Sequence, residues 1–457
     1  RGARRPLVYS ESMADVRPFR GLRFTTSAAP DLGQVLCPPY DVIDADDDRR
    51  LRERHPYNVV RLELTTASVA GGPEGRYEDA ARTLHDWREA GVLVRDDAPA
   101  YYLHEATFPH AGGTATRREI IAAVGLEPWE KRVVLPHERT YPRAKADRLR
   151  LLAATETNLS PILVFFQRDP AETDNQADAV DAAWTWTARR LPDAAGTDAE
   201  GVGHRLWVLA DRSLTEPLRA YFADRPLFIA DGHHRYETAL NYLEDRRQQA
   251  GGDLPPEDPA RFLMMHLIAA DDPGMVILPL HRLVRGVQST DCAALVERMR
   301  ADFEVTTRDI TMEGALGSAL EELRALGVRG QAVGLVPPGG TELVLVHRAA
   351  GAPSLEAIPT DREASWRSLD VVLVDYAIVR PLLAARSLHA EDAISYVRDA
   401  HAAVEQVRSG AADVAVLVNP TRVEQVAAVA LAGERMPEKS TYFVPKAPTG
   451  LVLRPLE

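Results

Sequence analysis

The stretch "PLFIADGHHRYETAL" (Pro226–Leu240) combines an apolar run, a glycine and a dense group of ionisable side chains. We predict a strand that ends at Ile229 and a helix that begins near His234. Gly232 lies in the turn between them, where glycine tolerates backbone angles that other residues resist. The first N–H groups of a helix have no partner within the helix and favour anions, phosphate above all. The stretch therefore predicts a strand, an anion-binding turn and a helix.

The side chains of this turn fit the same interpretation. His233, His234 and Arg235 would add charge-assisted donors to a phosphate. Asp231 would repel a phosphate, so we predict that it binds Mg²⁺ or orients a catalytic histidine, His234. The alternative is an aspartate that caps the helix, followed by surface histidines. The complete set, Asp231, Gly232, His233, His234 and Arg235, favours a functional site.

A second stretch, "LPHERTYPRAKADRL" (Leu135–Leu149), begins extended and continues as a predicted helix. His137 and Glu138 end the extended part, and a carboxylate beside a histidine is a reasonable general base. We predict that Glu138 is catalytic and that His137 and Arg139 bind substrate. The alternative is a charged, solvated entry into a helix.

Two further stretches supply candidate binding residues. In "CPPYDVI" (Cys37–Ile43), Tyr40 and Asp41 lie on a turn that the prolines stiffen, so they contact substrate or only shape the loop. The segment "ERMPEKSTYFVPKAPTGL" (Glu434–Leu451) is rich in donors and shows little helical periodicity. It would line a polyphosphate or carboxylate pocket or form a solvated loop; its predicted phosphate- or nucleotide-binding residues are Lys439, Ser440, Thr441 and Lys446.

The composition excludes several classes of protein. Among 457 residues, 54 are basic and 67 acidic, a net charge of -13 that argues against a nucleic-acid partner. Cys37 and Cys292 lie far apart and form no CxxC pair, which disfavours a disulfide framework or structural zinc and favours a reducing, cytoplasmic environment. No apolar run is long enough to cross a bilayer. The sequence also lacks the glycine-rich fingerprints of P-loop and nicotinamide-binding proteins.

Helices and strands alternate without a strict βαβ rhythm, which predicts an α+β (mixed α/β) fold. Apolar runs such as "SPILVFF" and "RFLMMHLIAA" read as buried strands, and "YNVVRLEL" (Tyr57–Leu64) also reads as a strand. We expect residues 1–12 to be a leader or cloning-derived segment before Met13. The remaining divisions are an N-terminal α+β region (13–130), a core with the His-Glu and Asp-Gly-His-His-Arg motifs (131–250) and a C-terminal α/β region (251–457).

The order "PHE", "DRLRLL", "SPILV" and "DGHHR" resembles the ParB/sulfiredoxin-like superfamily and, within it, the free-serine kinases. Those kinases carry a His-Glu pair before a helix and an Asp-Gly-His-His-Arg turn that opens another. The resemblance implies a ParB-like core in which Glu138 activates the substrate hydroxyl and residues 231–235 hold phosphates.

Over nearly its whole length the chain also resembles the family named domain of unknown function 1015. The matching motifs are "RPFRGLRF", "PPYDVI", "PYNVVRLEL", "LPHERT", "NLSPI", "IADGHHRYETAL", "HRLV" and "MPEKSTYFVPKAPTGL". Members of that family often carry a ParB-like description, which does not specify a reaction.

Three functional hypotheses follow. The first is a kinase that transfers a phosphoryl group from ATP or ADP, with Mg²⁺, to the hydroxyl of a small metabolite, free L-serine being the first candidate. The second is a ParB-like nucleotide-binding switch without metabolic turnover. The third is a metal-dependent hydrolase or lyase that uses His233, His234 and Asp231, although adjacent histidines usually point apart. A homodimer is compatible with all three.

Overall fold

A computed structural model describes residues 14–64, 72–140, 142–168, 179–352 and 355–457. The expected leader, residues 1–12, lies outside the described residues. The strands are β1 (Val16–Arg17), β2 (Leu22–Phe24), β3 (Leu93–Arg95), β4 (Tyr101–His110), β5 (Gly113–Gly125), β6 (Val134–Leu135), β7 (Thr157–Asn158), β8 (Ile162–Phe166), β9 (Ala194–Thr197), β10 (Gly203–Leu209), β11 (Leu227–Asp231), β12 (Phe262–Ala269), β13 (Val276–Leu278), β14 (His281–Val284), β15 (Glu304–Asp309), β16 (Gly330–Val336), β17 (Glu342–Ala349), β18 (Ile394–Val397), β19 (Val414–Val418), β20 (Tyr442–Val444) and β21 (Arg454–Pro455).

The α-helices are α1 (Ala45–Arg54), α2 (Val60–Glu63), α3 (Gly72–Glu89), α4 (Pro142–Thr155), α5 (Ala179–Thr187), α6 (Arg212–Ala223), α7 (His233–Ala250), α8 (Ser289–Met299), α9 (Ala315–Arg329), α10 (Ala364–Arg367), α11 (Asp370–Leu373), α12 (Arg380–Ala385), α13 (Ala390–Ala393), α14 (Ala400–Arg408) and α15 (Val423–Leu431). The predicted α+β class is confirmed, because helices accompany sheets with both parallel and antiparallel pairs. Within the described residues, no helix is long and apolar enough to cross a membrane.

The chain divides into two units. The larger comprises the described residues up to Pro136, Thr140–Val276 and Pro445–Glu457, and the smaller comprises His137–Arg139 and Ile277–Val444. The boundaries of these units differ from the predicted divisions at residues 130 and 250. Those divisions remain a prediction about the domains.

A mixed sheet forms the centre of the larger unit. Its described strands follow the order β6-β11-β8-β12-β5-β4-β10-β9, and β1 also pairs with β5. Alternate side chains of the central strands face two hydrophobic clusters, so both faces of the sheet are covered. Helices α5, α6 and α7 pack in one cluster, and α1 and α3 pack in the other. Burial on both faces explains why β8 and β12 are almost continuously apolar.

The prediction of a strand at Tyr57–Leu64 is wrong, because Val60–Glu63 forms the short helix α2. The Asn58 side-chain amide donates to the carbonyl oxygens of Gln34 and Leu36, both at 2.9 Å. Its Oδ1 accepts from the Val60 N–H at 3.0 Å. Asparagine side chains that bond nearby backbone in this way stabilise turns and helix starts over strands.

A second sheet lies in the smaller unit, with the order β15-β17-β16-β19-β14-β18. Its pairs are antiparallel. A hydrophobic cluster between this sheet and helices α9 and α14 includes Leu323, Leu345, Val404 and Leu417. Burial of each such side chain contributes roughly 1.5–3 kcal/mol to folding.

Candidate functional site

The predicted strand, turn and helix are present in the larger unit. Strand β11 ends at Asp231, Gly232 has a φ of 99°, and α7 begins at His233, one residue before the expected start. Only glycine adopts such a φ without strain, and a Cβ on Gly232 would lie 3.1 Å from the Arg235 Nε. The N-cap residue of α7 is Gly232, which has no side chain, and the start of a helix favours anions.

Asp231 organises two cations at this turn. Its Oδ1 lies 2.8 Å from the Lys446 Nζ, and its Oδ2 accepts a hydrogen bond from the Arg235 Nη2 at 2.8 Å. The Arg235 guanidinium also donates to the Pro161 carbonyl oxygen. Burial alone would raise the pKa of Asp231, but Lys446 and Arg235 outweigh it and lower the pKa to about 2. The carboxylate therefore stays ionised and holds both cations in place.

We call residues 231–235 together with Lys446 the cationic turn. Its two permanent cations outnumber its one carboxylate, which leaves one net positive charge before any imidazole is counted. His233 is buried and His234 is half-buried. Burial lowers the pKa of His234, while Glu237 and Asp41 oppose this shift. A neutral His234 is suited to accept a proton at neutral pH.

Tyr40 and Asp41, on a short 3-10 helix, also belong to the larger unit. Both raise the pKa of Arg235, against the opposing effect of burial, so the structure brings them into electrostatic range of the cationic turn. The Arg148 guanidinium lies 4.1 Å from the Tyr40 ring centroid. The predicted "PPYD" and "DGHHR" stretches are therefore neighbours.

A cavity of about 310 Å³ adjoins this region, with Tyr40, Glu63 and Arg148 among its lining residues. Glu63 is 2% exposed and accepts a hydrogen bond from Ser160, yet its buried Oε2 has no hydrogen-bond partner. Glu63 was not predicted as a site residue, because it lies in a segment that reads as a strand and a lone glutamate there carries no functional signal.

The second group of predicted residues lies in the smaller unit. The buried His137 Nε2 is 3.0 Å from the Thr441 Oγ1, which donates to the Glu138 Oε1 at 3.4 Å. Because the threonine hydroxyl donates to the carboxylate, His137 donates through Nε2–H to the hydroxyl oxygen. The Glu138 side chain remains 33% exposed. This hydrogen-bond chain orients a carboxylate that is partly exposed to solvent.

The other predicted residues of the smaller unit have surroundings that differ from those of His137, Glu138 and Thr441. The Ser440 hydroxyl is buried and donates to the Pro437 carbonyl oxygen at 2.5 Å, a bond that shapes the loop. Lys439 has a φ of 55° and an exposed side chain, and Arg139 is also exposed. Their predicted roles in binding remain predictions.

Metal-ligand geometry occurs elsewhere in the described residues. His104, Glu119 and His266 bring three potential ligand atoms within 4.8 Å of one another, and all three residues are buried. At the cationic turn, both oxygens of Asp231 already contact a cation, so Mg²⁺ at Asp231 would lie close to two positive charges. The predicted metal role of Asp231 therefore remains a prediction that its present partners oppose.

Comparison with solved structures finds distant similarities. A conserved hypothetical protein from Pyrococcus furiosus has 13% sequence identity and a TM-score of 0.33, covering 74% of this chain and 95% of that one. A free serine kinase in complex with AMP has 14% identity and a TM-score of 0.32, covering 73% and 92%. SbnI with a C-terminal truncation, from Staphylococcus aureus, has 13% identity and a TM-score of 0.33, covering 74% and 87%.

No curated protein matches the chain. A match to a protein family extends over residues 16–372, which is most of the sequence. The resemblance inferred from the sequence motifs is thus confirmed at the level of the family. The chain belongs to the family described as protein of unknown function (DUF1015).

Proposed function

We propose that the protein is a nucleotide-dependent phosphotransferase that acts on the hydroxyl of a small metabolite, with free L-serine as the first candidate. The observation that carries the proposal is the cationic turn, where Asp231 holds Arg235 and Lys446 at the start of α7. Phosphoryl transfer depends mainly on positioned positive charge around the phosphates, because the protein contributes little covalent chemistry.

The cationic turn would bind the nucleotide phosphates. The backbone N–H groups at the start of α7 would contact phosphate oxygens, and Arg235 and Lys446 would supply the balancing charge. Asp231 acts as a positioning residue, because it touches the two cations and would repel the phosphates themselves. His234, half-buried at the first turn of the helix, would exchange a proton with the reacting groups.

Glu138 would accept the proton of the substrate hydroxyl. Its carboxylate is partly exposed and is oriented by Thr441, which is in turn oriented by His137. This hydrogen-bond chain supports a base of fixed orientation. The ParB/sulfiredoxin-like resemblance assigns the same role to Glu138 and is part of this proposal.

Mg²⁺ would supply charge neutralisation on the phosphates. The described side chains of the turn do not form a preformed magnesium site, since both oxygens of Asp231 already contact cations. We therefore propose that Mg²⁺ arrives with ATP or ADP, and the roles assigned above involve the chain's own residues only.

Phosphorus NMR of the protein with Mg²⁺, ATP or ADP and a pool of hydroxylated metabolites that includes L-serine tests the proposal. A new phosphomonoester resonance is expected for the wild type and should be lost in Glu138→Gln. Glu321→Gln, an exposed substitution on α9 in the same unit, is the matched control and should keep full turnover.

Three results would count against this function. Full activity in Glu138→Gln would remove the base assignment. Nucleotide binding without turnover in the wild type would favour the nucleotide-binding switch. An absence of nucleotide binding would mean that the cationic turn holds a different anion.

A further inference from the structure

A second ionisable cluster lies on four neighbouring strands of the larger sheet and takes no part in the proposed phosphoryl transfer. His104 on β4 stands directly opposite Glu119 on β5. Glu119 is opposite Ile268 on β12, so His266 lies two residues away on the same face. His104 is opposite Leu206 on β10, which places His204 in the corresponding diagonal position. Diagonal neighbours on one face of a sheet are within reach of long side chains.

We call Asp198, His204, His104, Glu119 and His266 the histidine network. The Glu119 Oε2 lies 2.8 Å from the His104 Nδ1 and 2.7 Å from the His266 Nδ1. The His104 Nε2 lies 3.0 Å from the His204 Nδ1, and the His204 Nε2 lies 3.0 Å from the Asp198 Oδ2. The side chains of His104 and Glu119 are fully buried, and those of His204 and His266 are nearly so.

Counting protons shows that this arrangement needs an extra cation. Three contacts, from Asp198 through His204 and His104 to Glu119, each require one hydrogen. Two neutral imidazoles carry only two N–H groups. If His204 donates to Asp198 and His104 donates to His204, the His104 Nδ1 faces the Glu119 Oε2 as one acceptor facing another. In this arrangement a proton or a metal ion must lie between these two atoms, and in the opposite arrangement the His204 Nε2 and the Asp198 Oδ2 face each other in the same way.

We propose that His104, Glu119 and His266 bind a divalent first-row transition-metal ion, with Zn²⁺ as the first candidate. The ligand atoms are the Nδ1 atoms of the two histidines and the Glu119 Oε2, and all three lie within 4.8 Å of one another. Two imidazoles and a carboxylate form a ligand set that suits zinc or iron better than Mg²⁺. Tetrahedral bonds of about 2.0–2.2 Å would set ligand atoms roughly 3.4 Å apart, so the two Glu119 contacts at 2.8 and 2.7 Å would lengthen when the ion binds.

The surroundings of the three ligands fit this assignment. His204 accepts from the outer nitrogen of His104 and is itself held by Asp198, which is the usual way in which a second residue orients a metal-bound histidine. Arg117 contacts the other carboxylate oxygen of Glu119 at 2.6 Å, so Oε2 remains directed at the histidines. Two carboxylates and one guanidinium give one net negative charge before any imidazole is counted, which favours a cation.

The test uses the full chain without added nucleotide, so it is independent of the proposed kinase activity. Metal analysis of protein expressed in zinc-supplemented medium should find about one ion per chain. After metal removal with a chelator, titration with Co²⁺ should give a saturable visible absorption, which Zn²⁺ should abolish. Wild-type protein with no retained metal and no saturable Co²⁺ spectrum would overturn the proposal and leave a shared proton in the network.

Two substitutions locate the ion. His266→Gln keeps a donor to Glu119 but removes a ligand, so metal affinity should fall at least 100-fold while near-ultraviolet circular dichroism stays native. His110→Gln, an exposed change at the end of β4, should have no effect. Asp198→Asn leaves all three ligands intact and should weaken binding about 10–100-fold. Unchanged affinity in a folded His266→Gln protein would place the metal elsewhere and contradict the assignment.

Discussion

The cationic turn and the histidine network both surround a carboxylate in the larger unit, but they balance its charge in opposite ways. Asp231 has two permanent cations, Lys446 and Arg235, and the surplus charge is positive. Glu119 has one guanidinium and two imidazoles, and with Asp198 the surplus is negative. The first arrangement is suited to an anion that comes and goes, and the second to a cation. The identity of the neighbours, more than burial, therefore decides which ligand a buried carboxylate attracts.

The largest expected effect comes from breaking the ion pair of the cationic turn. Arg235→Met should lower the free energy of unfolding by about 3–5 kcal/mol, because it removes a buried guanidinium that pairs with Asp231 and donates to the Pro161 carbonyl oxygen. Urea denaturation followed by circular dichroism measures the loss. Arg308→Met is the control, because its pair with Glu322 is largely exposed and should contribute little to stability. Equal losses in both variants would mean that Arg235 does not anchor the turn.

The second prediction, of intermediate size, distinguishes the histidine network from the cationic turn by the metal ion that stabilises the protein. Zn²⁺ at one hundred times its dissociation constant should stabilise the wild type by about 2.7 kcal/mol, provided that it binds only the folded chain. Mg²⁺ at the same concentration should give a much smaller change, since the ligand set at Glu119 contains two imidazoles. Thermal unfolding with each ion, repeated on His266→Gln, gives the comparison. If Zn²⁺ stabilised His266→Gln as much as the wild type, the histidine network would not be the site of the ion.

The smallest effect concerns a third carboxylate, which has neutral partners. Asp370, in the smaller unit, accepts from the Ala332 N–H at 3.2 Å, and burial raises its pKa to about 7. The Asp370 carboxyl binds its proton more tightly in the folded protein than in the unfolded chain. Asp370 therefore contributes to stability below about pH 4, and this contribution is lost as the pH rises through about 7. Asp231 shows the opposite shift because its partners are cations.

Asp370→Asn should therefore raise stability at pH 8, by on the order of 1 kcal/mol, and by a smaller amount at pH 5. Unfolding titrations at the two pH values measure the difference, with the exposed Asp361→Asn as the control. A variant that is less stable than the wild type at pH 8 would show that Asp370 is ionised and stabilising.

Local patterns predicted much of the fold and the contiguous part of the site. Buried runs such as β8 and β12 are recognisable because both faces are apolar, and Gly232 between an apolar run and a polar helix marks a turn. The helix α2 was mistaken for a strand because the decisive contacts, from Asn58 to Gln34 and Leu36, come from residues more than twenty positions earlier.

Contacts between distant segments explain what the sequence analysis missed. Lys446 was expected to bind phosphate, but its ion pair with Asp231 spans 215 positions and has no local signal. His266 is the one polar residue of its strand, whereas His104 and Glu119 each adjoin other charged residues, and only the register of three strands aligns the three. Their shared face could have been noticed from alternation within each strand, but the order of the strands could not.

The most direct test of the cationic turn is calorimetric titration of ATP into the wild type, Lys446→Met and the control Lys131→Met. Lys446 is largely buried against Asp231, whereas Lys131 is exposed beside Glu127. A charge-assisted contact contributes about 1.5–3 kcal/mol, so the dissociation constant of Lys446→Met should rise at least tenfold while that of Lys131→Met stays unchanged. The same dissociation constant for wild type and Lys446→Met would contradict the assignment of the turn as the phosphate site.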